Sequence, residues 1–217
     1  MKQAMSKEIQ DELSARGIIA VLEIEDERDA VPAAKALLEG GVSAVELALR
    51  TPEAMPSIAL IAKEVPQMYI GVGTIIESGQ AAMVKNKYGI RFGVSPGINP
   101  EIVKEALEAD LPFAPGIATP SELDRAIALG CRVVKFFPAE SLGGLGYLKS
   151  VNGPYNHLGI KYIPLGGVTT ENLASYAQFS PVLAVGGTWI ANRELIKAHD
   201  WKEITRRAKE AMKIWRH

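Results

Sequence analysis

The run Arg132-Val133-Val134-Lys135-Phe136-Phe137-Pro138-Ala139-Glu140 reads as a short buried strand, two β-branched residues and two aromatics set around one lysine. Alternate side chains of a strand share a face, so Val133, Lys135 and Phe137 point one way, Val134 and Phe136 the other. A short strand that is apolar on both faces belongs in a parallel sheet with both faces covered. Burying an ammonium is costly. Such a lysine is either paired or works as an uncharged amine, unless it lies at a strand end and snorkels to water.

The chain on either side repeats one pattern, a short apolar strand and then an amphipathic helix. Strands are expected at 17–22, 43–50, 68–73, 90–94, 111–114, 132–137, 161–165 and 182–185. Helices are expected at 6–15, 77–88, 144–151, 170–178 and 201–214, and further ones begin at sequence caps. Asp26 caps a helix whose stripe is Ala30, Ala34, Leu37 and Leu38, and Gly40-Gly41 ends it. Thr51-Pro52-Glu53 and Asn99-Pro100-Glu101 start helices, and Thr119-Pro120-Ser121-Glu122 is a capping box with proline in the first turn. Eight strands alternating with helices, with no break in composition for a linker, point to an α/β chain of one domain over residues 1–217: a (β/α)8 TIM barrel with an additional N-terminal helix in residues 1–16. An open doubly wound sheet is weakened because no strand is followed by G-x-G-x-x-G; Gly71-Val72-Gly73 lacks the third glycine.

Composition narrows the function classes. A chain of 217 residues can bury roughly 70 % of its unfolded surface without staples. The net charge of −1 gives no electrostatic reason to expect nucleic acid or an anionic membrane as partner. The basic residues of the last helix read as a solvated face. No apolar run reaches the ~20 residues that span a bilayer, and the N-terminus lacks the apolar core of a signal peptide. The single cysteine, Cys131, excludes an internal disulfide and fits a reducing, cytoplasmic setting.

Chemistry in a barrel sits at the C-terminal ends of strands. There the sequence offers Glu46 and Arg50 on one face of the second strand, Thr74 closing the third, Pro96 after the fourth, and Lys135 in the sixth. Two Gly-Gly turns, Gly166-Gly167 and Gly186-Gly187 with Thr188, close the last two strands. An amine and a carboxylate facing each other across a barrel interior suit Schiff-base chemistry, in which the amine attacks a ketone and the carboxylate shuttles protons. They also suit a structural ion pair, which by itself adds little stability. Arg50 tips the balance by adding a fork for a substrate carboxylate, and Thr74 adds a hydroxyl donor. The glycine turns fit either tight turns or a phosphate cradle of backbone N–H groups.

These residues resemble the KDPG/KHG aldolase family, the 2-keto-3-deoxy-6-phosphogluconate and 4-hydroxy-2-oxoglutarate aldolases. The resemblance is carried by Gly40-Gly41-Val42, Glu46, Leu49-Arg50-Thr51, Gly71-Val72-Gly73-Thr74, Ser95-Pro96-Gly97, Pro115-Gly116, Thr119-Pro120-Ser121-Glu122-Leu123, Lys135-Phe136-Phe137-Pro138-Ala139-Glu140, Pro164, Gly166-Gly167 and Gly186-Gly187. It implies a class I aldolase that cleaves a 2-keto-3-deoxy sugar acid to pyruvate and an aldehyde, glyceraldehyde 3-phosphate when the substrate is 2-keto-3-deoxy-6-phosphogluconate. It implies Lys135 as the Schiff-base lysine, Glu46 as the acid/base group, and Arg50 with Thr74 on the pyruvate-end carboxylate. Pro96 and Phe137 shape the pocket, and both Gly-Gly turns with Thr188 hold the phosphate. It further implies a homotrimer with no cofactor or metal; His157, His199 and His217 are scattered and off the strand ends.

Three residues depart from the family pattern at the distal end of the substrate. Glu23 stands where an arginine is frequent, Leu165 where threonine is frequent, and Thr188 where serine is common. Glu23 follows the first apolar run and is expected to turn outward to water. The departures keep 4-hydroxy-2-oxoglutarate and other 2-keto-3-deoxy acids open as substrates. A barrel that binds a phosphorylated ligand without turnover needs neither Lys135 nor Glu46, and is disfavoured on that ground.

Overall fold

The computed structural model describes residues 3–216; Met1, Lys2 and His217, and with them the outer ends of the expected 1–217 domain, lie outside the described residues. Strands β1 (Ile18–Leu22), β2 (Ala44–Ala48), β3 (Tyr69–Gly73), β4 (Phe92–Val94) and β5 (Phe113–Ala114) pair in parallel in that order, and β9 (Val185–Gly187) joins the free edge of β1. This six-strand sheet curls into a half-barrel. A separate parallel sheet holds β6 (Gly116–Ile117), β7 (Val133–Phe136) and β8 (Lys161–Pro164).

The expected closed eight-strand TIM barrel is therefore corrected: the ladder breaks in two places. The single strand expected at 111–114 is two short strands on different sheets, with Pro115 between them. Proline has no N–H to give to a ladder, so pairing with β4 ends at Ala114 and pairing with β7 begins at Gly116. The second break lies between β8 and β9, which are joined only by the isolated bridges Tyr162–Val182 and Leu165–Gly186. β8 ends on another proline, Pro164, and the expected strand 182–185 forms instead at Val185–Gly187, where it pairs with β1.

Strand alternation sorts the core into two layers. Ile18, Ala20, Leu22, Val45, Leu47, Val134 and Phe136 face the helices and belong to the larger apolar cluster. Ile19, Val21, Ala44, Tyr69, Phe92, Val94, Val133 and Ile163 come from both sheets and fill the space they enclose. The concave faces thus share one interior, although their ladders do not close. Helix α1 (Lys7–Arg16) starts on Ser6, whose hydroxyl accepts from Ile9 N, and runs straight into the start of β1. Its Leu13, with Met5 and Ile9, packs on the inner cluster, which stoppers the N-terminal end of the strands and leaves their C-terminal ends for a site.

Helix α4 (Gln80–Tyr88) has no side-chain cap of its own. It borrows Glu105 from α5 (Pro100–Glu108), whose carboxylate accepts from the N–H groups of Gly79 at 2.7 Å, Ala81 at 2.9 Å and Ala82 at 3.2 Å. Burial pushes this carboxyl up, but those amides outweigh it and hold Glu105 below the ordinary glutamate range. A depressed carboxyl stabilises the fold above its unfolded pKa, near 4.3, and stops doing so as pH falls through the folded value. Glu105→Ala is expected to cost ~1 kcal/mol, the scale of a lost cap. Paired thermal melts of wild type and variant should differ by about 2–4 °C at pH 7 and converge as pH drops below about 4.

Candidate active site

Glu46 is the third residue of β2 and points inward, opposite to its neighbours Val45 and Leu47. Lys135 is the third residue of β7 and points inward from the other sheet. Although 89 residues separate them in the chain, Lys135 Nζ lies 3.1 Å from Glu46 Oε1 and 3.5 Å from Oε2. Both are buried, at 4 % and 2 % relative exposure. Lys135 therefore does not snorkel to water. The Phe137 ring adds a cation–π approach, with Nζ 5.4 Å from its centroid.

The pair forms the floor of a cavity of about 340 Å³, whose wall includes Arg50, Phe137, Gly166, Gly167, Gly187 and Thr188. Arg50 follows β2 and donates through Nε to Thr74 Oγ1 at 3.2 Å. Thr74 itself sits at φ 61°, a left-handed backbone conformation that a β-branched residue rarely adopts and that costs on the order of 1–3 kcal/mol. The residue before it has to be glycine for a different reason. A Cβ on Gly73 would lie 1.9 Å from Glu46 Oε1 and 2.6 Å from Cδ. The carboxylate thus lies directly over the Gly73 backbone.

The turn after β8 puts two glycines in succession at φ 90° and 86°. The N–H groups of Gly167 and Val168 make no hydrogen bond to a described residue, and both residues line the cavity; the Gly166 N–H lies on the side of the bridge to Gly186. Free backbone donors at a cavity wall suit an anion.

Three expected residues stand apart from the wall: Thr74, which meets it only through Arg50, and Pro96 and Gly186. Pro96 is half-buried and turns its carbonyl against Gly116, where a Cβ would lie 2.1 Å from Pro96 O. Gly186 is bridged to Leu165 and packed under its side chain. The wall also includes residues the sequence did not single out, namely Val21, Val168, Thr169 and Trp189. Val21 was legible from alternation, since it shares the inner face of β1 with Ile19. Trp189 follows Gly-Gly-Thr and packs its ring on Gly187, where a Cβ would lie 2.3 Å from Cε3; an aromatic directly after a glycine turn is a cue for such packing.

Glu23 does not turn outward. Its side chain is only 19 % exposed, and its carboxylate lies 3.8 Å from Arg50 Nη1 and 3.4 Å from Arg193 Nη2. Arg193 also pairs with Glu25 at 2.5 Å. The strand alternation that aims Val21 inward carries on to Glu23, and two arginines meet it there, of which Arg50 lines the cavity and Arg193 a neighbouring pocket. Among the described residues no group of three His, Cys, Asp or Glu side chains is placed to hold a metal ion.

Comparison with known proteins gives a consistent picture. The family model described as KDPG and KHG aldolase matches residues 9–207. A KHG/KDPG aldolase of Escherichia coli K12 is 38 % identical over 200 residues, 92 % of either chain. A 2-dehydro-3-deoxy-phosphogluconate aldolase of Dickeya dadantii is 40 % identical over the same length and coverage. Among solved structures, a KDPG aldolase of Legionella pneumophila, with pyruvate captured at low pH as a covalent carbinolamine intermediate, superposes with a TM-score of 0.88 at 35 % identity, covering 94 % of this chain and 97 % of its own.

The close approach of Glu46 to Gly73 predicts a coupled pair of substitutions. Gly73→Ala forces the Glu46 carboxylate away from Lys135 and is expected to destabilise by about 1–3 kcal/mol, as overpacking does. In a Glu46→Ala background the clash disappears, so the same substitution should cost clearly less. Chemical denaturation of the four members of that cycle measures the coupling. Equal costs in the two backgrounds would show that Glu46 is not what excludes a side chain at position 73.

Proposed function

The chain belongs to the KDPG and KHG aldolase family, and on that premise we propose that it is a class I aldolase that cleaves 2-keto-3-deoxy-6-phosphogluconate reversibly to pyruvate and glyceraldehyde 3-phosphate. The observation that carries the reading is the buried contact of Lys135 Nζ with the Glu46 carboxylate at the floor of an open cavity.

Lys135 is the nucleophile in this reading. Its uncharged amine attacks C2 of the keto acid, forming a C–N bond and leaving the former carbonyl oxygen as the hydroxyl of a carbinolamine once it takes a proton. Glu46, in hydrogen-bond reach of the amine, takes the proton lost from nitrogen and returns one to the departing hydroxyl, so that water leaves and an iminium forms. The iminium is the electron sink for the next step. A base removes the proton of the C4 hydroxyl, the C3–C4 bond breaks, and its electron pair moves into the enamine as the aldehyde departs. Protonation of the enamine carbon and hydrolysis by one water then release pyruvate and restore the amine. The Legionella relative, with pyruvate held as a carbinolamine, supports the first of these intermediates.

The remaining roles follow from where charge must be met. Arg50, oriented by Thr74 and shared with Glu23, is placed to take the carboxylate beside the keto group. Phe137 covers the amine and walls the pocket. The free amides of Gly167 and Val168, with Gly187 and Thr188 of the neighbouring turn beside them, are the donors for a phosphate at the far end. Pro96 and Gly186 act behind this wall, as its support. The family resemblance supports a homotrimer, for which light scattering is the measurement. The single cysteine, Cys131, is buried without a disulfide partner, and such cysteine usage supports a reducing compartment such as the cytoplasm. No described helix is long and apolar enough to cross a membrane.

Pyruvate with borohydride is expected to fix one equivalent of pyruvate on Lys135 and abolish turnover, and EDTA should leave the rate unchanged. Peptide mapping that finds the adduct on Lys149 or Lys161 would overturn the assignment. Glu46→Gln keeps the shape of the side chain but removes the proton shuttle. Its kcat for aldol cleavage is expected to fall roughly 10²- to 10⁴-fold. Turnover at the wild-type rate would reduce Glu46 to a structural partner of the lysine.

A further inference from the structure

Beyond the strand that carries the lysine, the chain continues through Ala139 and Glu140, and the proposed catalytic roles leave both unused. They lie behind the Gly166-Gly167 turn and hold it. Ala139 N donates to Leu165 O at 2.8 Å, and Glu140 N donates to Gly166 O at 2.9 Å. From the other side, Asn172 Nδ2 donates to Gly167 O at 3.1 Å. Three successive carbonyls of the turn are thus tied back, while the amides of Gly167 and Val168 stay free at the cavity wall.

The Glu140 side chain completes the arrangement. It packs flat on Gly167, where a Cβ would lie 2.6 Å from its Cβ, and its Oε1 accepts from Tyr176 Oη at 2.5 Å. Tyr176 lies on α8 (Thr170–Ala177), the helix that leaves the turn, and its ring is fully buried in the core. Burial, and then the hydrogen bond to Glu140, push the Tyr176 phenol above its ordinary value, which keeps it a neutral donor. Two adjacent elements, the exit of β7 and helix α8, are therefore joined across the back of the turn by a single short hydrogen bond.

We propose that Glu140 and Tyr176 form a strut that fixes the free amides of Gly167 and Val168 relative to Lys135, which makes both of them positioning residues for the distal, phosphate-bearing half of the substrate. The inference rests on the aldolase reading, since it assumes that the anion on those amides and the keto group on Lys135 belong to one molecule. With the strut in place the amides are preorganised, and binding need not order the turn. Without it the turn keeps its backbone anchors but can shift on the exit of β7, which loosens the distal end and leaves the lysine untouched.

The test compares two reactions of each variant, pyruvate trapping on Lys135 by borohydride, which needs no distal half, and cleavage of the 6-phosphorylated substrate. Tyr176→Phe removes one hydroxyl from a buried ring and little else. It is expected to raise KM for the phosphorylated substrate about three- to tenfold, the scale of one lost hydrogen bond, with kcat within about twofold and trapping unchanged. Glu140→Ala should match it, and Glu140→Gln, which keeps an acceptor for Tyr176, should restore a KM near wild type. An unchanged KM in both Tyr176→Phe and Glu140→Ala overturns the strut. So does a parallel fall in trapping, because that would mark a general loosening of the fold. A wild-type chain that traps no pyruvate overturns the aldolase reading itself, and the strut with it.

Discussion

The proposed chemistry depends on one buried contact between an amine and a carboxylate. Taking two such groups out of water costs several kcal/mol for each ion, and their attraction offsets this only when the geometry is good and remaining polar atoms are met. Here the surroundings do little to help stability. Lys135 is flanked by Val133, Val134, Phe136 and Phe137, and Glu46 lies over a bare glycine backbone. A leucine pair of similar volume would satisfy the interior at least as well. The pair is therefore poorly explained as a stabilising device and well explained as chemistry, because a carbonyl addition needs a nucleophile with a proton acceptor in hydrogen-bond reach.

That contact also explains why the two sheets matter more than a closed ladder. Glu46 belongs to the curled six-strand sheet and Lys135 to the three-strand sheet. Neither sheet holds a site alone. They are brought together by inward-facing side chains from both, packed around Tyr69, Phe92, Val133 and Ile163, and stoppered by α1 at the opposite end. Side-chain packing, rather than continuous hydrogen bonding, sets the distance across the cavity. Breaks at Pro115 and Pro164 can then be tolerated because each falls between strands whose inward residues still meet.

Much of this was legible in the residues, and what was not has identifiable causes. Alternation placed Glu46, Lys135 and both apolar layers correctly, because a period of two leaves only two choices for each side chain. The capping box at Thr119 and Glu122 formed as read, since both partners are local in sequence. Pairing between strands was less readable. A proline announces a missing donor, but whether a ladder passes it depends on neighbours far along the chain, and so the split of the strand at Pro115 escaped. Glu23 was misplaced by treating the end of an apolar run as the end of the strand's alternation. Its partner Arg193 lies 170 positions on, which no local pattern could supply. The glycine turns allow both a tight turn and an amide cradle in the sequence, because which N–H groups stay unpaired depends on what the rest of the chain brings against them.

The mouth of the cavity is a charge problem as well as a shape problem. Arg50 lines the cavity, yet it already shares its charge with Glu23, while Arg193 is held by Glu23 and Glu25 together. Fixed cations at the rim are thus largely matched by carboxylates before any substrate arrives. At an effective dielectric near 20, a unit charge at 4 Å still contributes ~4 kcal/mol, less in solvent, so an unmatched arginine would attract small anions indiscriminately. In the proposed reading, matching it with Glu23 suppresses that attraction and leaves discrimination to groups that carry no net charge: the amides of Gly167 and Val168 and the hydroxyl of Thr188. Such donors act only at hydrogen-bond distance and only in fixed directions. On the same proposed reading, recognition of the distal anion rests on how firmly the turn is held, and the three carbonyls behind it are tied down while the amides of Gly167 and Val168 are left open.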